Sequence, residues 1–200
     1  MSSIVERNNL NPSKTAFLLC DIQERFQAAI FKFSEIVEVA KRLTIASKIL
    51  NIPLIVTEQY PKGLGKTVPS LDIDHALLKI EKTKFSMYCD EIKEILEKKL
   101  VDTIVLFGVE THVCVLQTAI DFLNQGFNVH VVADASSSRT LTDRLVAIDR
   151  LKQAGCIVTT HESVLFQLIK DKNHENFKEI QKLIVTLAPD TGLVNIQSSI

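Results

Sequence analysis

The sequence predicts an α/β fold: a single-domain, three-layer α/β/α sandwich around a mainly parallel, Rossmann-like sheet of six strands. Two observations carry that expectation. Short apolar runs rich in branched residues alternate with helical stripes along the chain, the pattern of a parallel sheet covered on both faces through right-handed crossovers. Polar, chemically capable residues recur just after the apolar runs, at the edge where an open sheet gathers its ligands.

Taken in order, residues 15–20 form an apolar strand ending at Asp21. Ile36, Val39, Ala40, Leu43, Ala46 and Leu50 recur at helical spacing. Pro53 opens a strand over residues 54–56. Residues 58–74, with Pro61, Gly63, Gly65 and Pro69, read as a long loop. In a compact domain such a loop is more often a lid or binding loop than idle chain. A short strand follows over 76–80, then a helix over 91–100 with Ile92, Ile95 and Leu96 inward.

Residues 104–107 are wholly apolar and read as a buried strand. Gly108 lets the chain turn. Val113, Leu116, Ile120 and Leu123 mark a helix from Thr111, as N-cap, to Gln125-Gly126 as C-cap. A strand over 127–133 ends at Asp134, and Leu141, Leu145, Ile148 and Leu151 form a helical face closed by Gly155. The last strand covers 156–159, with helices over 161–170 and 175–187. Residues 14–187 read as one domain and 188–200 as a tail or contact arm.

The 200 residues suffice for one sizeable core. A formal net charge of -1 gives no general attraction to nucleic acid or acidic membranes. The apolar runs are far shorter than a membrane span. Residues 1–14 lack the apolar core of a secretory signal, and Ser198-Ser199-Ile200 is not a peroxisomal tail. Cys20, Cys89, Cys114 and Cys156 lack the paired spacing of a zinc site or disulfide framework. The expectations are therefore a cytoplasmic protein with no cofactor, metal, nucleic-acid or membrane partner.

Cys114 falls in the first turn of a helix just past a strand end. Backbone N–H groups and the helix dipole stabilise a thiolate there. The same pattern fits a small cysteine packed under the sheet. Asp21, the Lys82–Lys84 region and Asp134 fall at the same edge. A carboxylate can take a thiol proton, and a lysine can hold that carboxylate ionised. Plainer readings exist: Asp21 capping a turn, a solvated lysine, Asp134 ordering the loop after it. Spacing alone leaves an Asp–Lys–Cys site as one option among several.

Asp21-Ile22-Gln23-Glu24-Arg25-Phe26, Lys82-Thr83-Lys84-Phe85-Ser86 and Gly108-Val109-Glu110-Thr111-His112-Val113-Cys114-Val115 resemble, in order and place, the three motifs of the isochorismatase-like cysteine hydrolases. The likeness covers about residues 14–170. Thr57-Glu58-Gln59-Tyr60-Pro61-Lys62-Gly63-Leu64-Gly65, Asp134-Ala135-Ser136-Ser137-Ser138-Arg139 and Ala188-Pro189-Asp190-Thr191-Gly192-Leu193 resemble its eukaryotic isochorismatase domain-containing subgroup.

The resemblance implies Asp21, Lys82 and Cys114 as the catalytic trio. Lys82 is preferred to Lys84 because it stands three residues before Phe85 and four before Ser86. It also implies a cis peptide between Val109 and Glu110, an oxyanion hole from the Glu110 and Cys114 N–H groups, and a homodimer or larger assembly. Family nicotinamidases carry a metal cluster after the second strand; Glu58-Gln59-Tyr60 has no histidine there. The implied activity is cysteine-dependent hydrolysis of a small molecule, an amide first, through a thioester. The competing reading is a binding scaffold with little turnover. Gln23, Phe26, Tyr60 and Phe85 are expected around the substrate. His112 is expected at solvent or a subunit contact ahead of a role as base, Arg25 beside an acid ahead of a substrate anion, and Arg139 paired with Asp143 ahead of a substrate role.

Overall fold

The computed structural model describes residues 7–193. Six strands, β1 (Thr15–Cys20), β2 (Leu54–Gln59), β3 (Leu78–Lys82), β4 (Thr103–Val109), β5 (Asn128–Ser137) and β6 (Ile157–Thr159), pair in parallel in the order β3-β2-β1-β4-β5-β6. The helices are α1 (Phe33–Ile49), α2 (Asp90–Lys98), α3 (Leu116–Asn124), α4 (Leu141–Ala154), α5 (His161–Ile169) and α6 (Phe177–Ile184). The expected α/β sandwich is the observed one.

Every residue of β1 is buried, so its side chains serve both faces. Phe17 and Leu19 join the core beneath α1, α5 and α6; Ala16, Leu18 and Cys20 join the core beneath α2 and α3. Phe17 meets Phe107 of β4 edge to face at 6.3 Å. Each such large side chain, fully buried, contributes about 1.5–3 kcal/mol of transfer free energy.

The strand order decides where chemistry can sit. From β1 the chain builds outward to β2 and β3, then crosses back to β4 on the other side of β1. The ends of β1 and β4 therefore flank the crevice at the topological switch point. Gly108 holds the two strands close. It lies within β4, paired with Cys20 and at φ 130°, not at the expected turn. A Cβ there would stand 2.0 Å from the Cys20 carbonyl oxygen, so only glycine fits.

Other differences have physical causes. β3 starts two residues later than expected, making Lys82 its last residue, and β2 runs on to Gln59. β5 extends to Ser137 past a register shift opposite residues 106–108, so Asp134 lies inside the strand. The loop after β2 holds one helical turn (Pro61–Leu64) and is tied down by a Gln23–Thr67 bridge. The helix expected from Thr111 opens with a π turn (Thr111–Val115) whose N-cap is Glu110. On α4, Arg144 is buried and Leu145 is 40% exposed, the reverse of the expected face. Arg144 turns inward because its guanidinium donates to the Ala133 and Thr191 carbonyls. Thr191 is itself buried, so this part of the expected tail packs on the domain; residues 194–200 of that tail lie outside the described ones. No described helix is long and apolar enough to cross a membrane.

Candidate active site

Asp21 is the first residue after β1, fully buried, at φ 52°. Residues with a Cβ avoid this left-handed region at a cost of about 1–3 kcal/mol, and such strain gathers at functional sites. Its Oδ1 accepts from Thr57 Oγ1 at 2.7 Å and its Oδ2 from Lys82 Nζ at 2.6 Å. Thr57 is in place because β2 registers it against Cys20. Lys82 pairs in register with Gln59, and its chain reaches across the end of β2. Its ammonium also donates to Gln59 Oε1 at 2.7 Å and to the Phe85 and Lys84 carbonyls at 2.9 and 3.2 Å. Lys84 thus gives the site only a carbonyl. Burial works against the Lys82 charge, but electrostatic interactions with Cys20, Asp21 and Cys114 and the hydrogen bond to Asp21 outweigh it and hold the ammonium above its ordinary pKa.

Cys114 lies in the π turn, 5% exposed. Its sulfur, the Cys20 sulfur and an Asp21 carboxylate oxygen all lie within 4.8 Å of one another. The Cys20 thiol donates to Asp21 Oδ2 at 3.5 Å. Burial first, then a hydrogen bond with Cys114 and the charge of Asp21, push the Cys20 thiol pKa well up, with Lys82 opposing. Sequence reasoning brought Asp21, Lys82 and Cys114 to one edge but missed Thr57, Gln59 and Cys20. The period-two alternation of Ala16, Leu18 and Cys20 was the available signal for Cys20.

A cavity of about 160 Å³ opens beside the thiol, lined by Phe26, Gln59, Leu64, Phe85, Glu110, Val113, Cys114 and Arg139. Phe26 and Phe85 are among its walls; Gln23 and Tyr60 are not. Gln23 Nε2 donates to the Gln59 and Gly65 carbonyls, and its Oε1 accepts from Gln59 N–H, so its amide pins the loop. The Tyr60 ring stacks against Gly63 and is 56% exposed. Arg139 pairs with Glu110 at 3.3 Å, while Asp143 caps α4 with Thr140. His112 Nδ1 meets Ser138 Oγ at 2.9 Å. Arg25 is exposed. Asp134 turns away to His161 at 2.6 Å.

A larger hollow, about 340 Å³, contains Ser47 and His75 in contact at 2.8 Å. The Ser47 hydroxyl is committed to the Thr44 carbonyl, so chemistry and not size selects the smaller cavity. Cys20, Asp21 and Cys114 offer the two sulfurs and one oxygen that a thiophilic divalent ion can use. The Lys82 ammonium already stands 2.6 Å from that carboxylate, so an ion placed there would have to displace a cation. The absence of histidine after β2 could not reveal this trio.

The isochorismatase domain family model matches residues 15–163. Isochorismatase domain-containing protein 1 of Danio rerio is 51% identical over 193 residues, 96% of this chain and 68% of that protein. Isochorismatase domain-containing protein 2 of Xenopus laevis is 48% identical over 197 residues, 98% of this chain and 96% of that protein. A solved structure of the MAR1 ribonuclease from Caenorhabditis elegans superimposes with a TM-score of 0.91 at 49% identity, covering 95% of this chain and 99% of its own.

Proposed function

The chain belongs to the isochorismatase family, and on that premise we propose that it is a cysteine-dependent hydrolase of a small amide. The observation that carries this reading is the buried Asp21–Lys82 pair at 2.6 Å, set beside a thiol that lines a cavity. Asp21 takes the Cys114 proton, and Lys82 holds the carboxylate ready to do so. The thiolate adds to the substrate carbonyl. The Glu110 and Cys114 backbone N–H groups, at the start of the π turn, hold the oxyanion. Asp21 returns the proton to the departing amine, leaving a thioester on Cys114. Water then gives a proton to Asp21 and cleaves the thioester, releasing the acid and restoring the thiol. Phe26, Leu64, Phe85 and Val113 favour a compact, mainly apolar acyl group. Assembly as a homo-oligomer and a cytoplasmic location belong to the same proposal.

The name of the nematode relative raises a second reading, cleavage of RNA. An RNA substrate needs cations free to meet phosphate. Here the Lys82 side chain is 9% exposed and its ammonium already meets four acceptors within the protein. The amide reading is therefore preferred. The test is a metabolite mixture and a single-stranded RNA, each incubated with wild type and Cys114→Ala and read by mass spectrometry. A small amide consumed only by wild type supports the proposal. Cys114-dependent RNA cleavage with no metabolite change replaces it, and no Cys114-dependent change in either arm favours a binding scaffold.

A further inference from the structure

One thiol at this site has no part in that mechanism. Cys20 is fully buried at the end of β1, and its sulfur is within 4.8 Å of both the Cys114 sulfur and an Asp21 oxygen. Cys114 faces the cavity while Cys20 is absent from its lining. Cys89 and Cys156 are outside this cluster. We propose that Cys20 is a resolving cysteine: an oxidised Cys114 closes onto it as a reversible Cys20–Cys114 disulfide that switches the site off. This needs Cys114 to be reactive and reachable, not that the protein be a hydrolase.

The oxidant is a small hydroperoxide entering the cavity. The Cys114 thiol gives its proton to Asp21, the thiolate attacks the terminal peroxide oxygen and the O–O bond breaks; Asp21 returns that proton to the departing alkoxide or hydroxide, leaving a Cys114 sulfenic acid and an alcohol, or water from hydrogen peroxide. The Cys20 thiol gives its proton to Asp21, whose Oδ2 it already meets at 3.5 Å. The Cys20 sulfur attacks the Cys114 sulfur and the S–O bond breaks. The departing hydroxide recovers the proton from Asp21 and leaves as water. In sum two thiols lose two electrons and the hydroperoxide gains them. The bonded sulfurs stand about 2.0 Å apart, so the two must approach, tying the end of β1 to the turn after β4. A dithiol reductant reverses the bond by exchange. Without a resolving partner the sulfenic acid goes on irreversibly to sulfinic acid.

The test treats the full chain with a several-fold excess of hydrogen peroxide, blocks free thiols and maps tryptic peptides by mass spectrometry. Cleavage after Lys14, Arg25, Lys99 and Arg139 separates Cys20 (residues 15–25) from Cys114 (residues 100–139). The expected product is these two peptides linked, two hydrogens lighter than their sum. Dithiothreitol should restore most of the iodoacetamide labelling of Cys114 in wild type and only a small fraction in Cys20→Ser. Cys20→Ala is the second variant, and circular dichroism checks both folds. A Cys114 peptide carrying two added oxygens equally in wild type and variants would overturn the proposal. So would a bridge to Cys89 or Cys156, or a Cys114 that peroxide leaves untouched.

Discussion

Asp21 and Asp134 both sit towards the C-terminal ends of buried strands, and each holds a basic side chain at 2.6 Å. Their surroundings differ. Asp21 stands where β1 and β4 part, beside two sulfurs, one of them lining a cavity. Asp134 is within β5, and its other oxygen accepts the His161 backbone N–H at 2.9 Å, anchoring the start of α5. His161 is 2% exposed, and its Nε2 has no hydrogen-bond partner among the described residues. Nearby, burial lowers the Arg144 pKa to about 10 against the opposing charges of Asp134 and Asp190. The guanidinium ties β5 to residue 191 through two carbonyls. An acid–base pair at a strand end is thus not itself a site. A thiol, a cavity and the switch point distinguish the first pair; the second is a clamp between β5, α5 and the segment after α6.

Breaking each pair should have different consequences. The largest effect is on turnover of the substrate that the metabolite screen identifies. Asp21→Asn should cost roughly 10²–10⁴-fold, Cys114→Ala should abolish the thioester route, and the double variant should be scarcely worse than the second alone. Comparable losses in Asp134→Asn would erase the distinction. Next comes stability: Asp134→Asn should lose about 1–3 kcal/mol in urea unfolding, the cost of leaving a buried polar group poorly satisfied, while Cys114 still alkylates at the wild-type rate. An unchanged urea midpoint would deny the clamp. The smallest effect sharpens the boundary of the site. The Arg139 side chain is 67% exposed although Glu110 is only 7% exposed, and an ion pair whose cation stays in water contributes about 1 kcal/mol or less. Arg139→Ala should therefore barely change urea stability, and a larger loss would make the Glu110 pair structural.

The layered fold was legible because β1 and β4 are apolar on both faces and the helices between them keep a clear period. Lys82 was legible through its spacing to Phe85 and Ser86. Asp134 was misplaced because a register shift in β5, not visible in the apolar run itself, carries the strand past it. Gly108 reads as a turn in the sequence, which shows its freedom but not the Cys20 carbonyl 2.0 Å from where a Cβ would be. Gln23 reads as a wall because its loop contacts, with Gln59 and Gly65, lie 36 and 42 residues away in sequence. Cys20 is not legible as part of the site because its neighbour, Cys114, is distant in sequence and meets it only when β1 and β4 pair.

In the proposed mechanism Lys82 and Asp21 act on the Cys114 thiol while the Asp134 pair does not. The most direct test is the iodoacetamide rate at Cys114 against pH for wild type, Lys82→Met and Asp134→Asn, with circular dichroism as the folding control. Removing a neighbouring cation disfavours a thiolate, so the Lys82→Met profile should move to more alkaline pH while Asp134→Asn overlays wild type. Superimposed wild-type and Lys82→Met profiles, or an equal shift in Asp134→Asn, would contradict it.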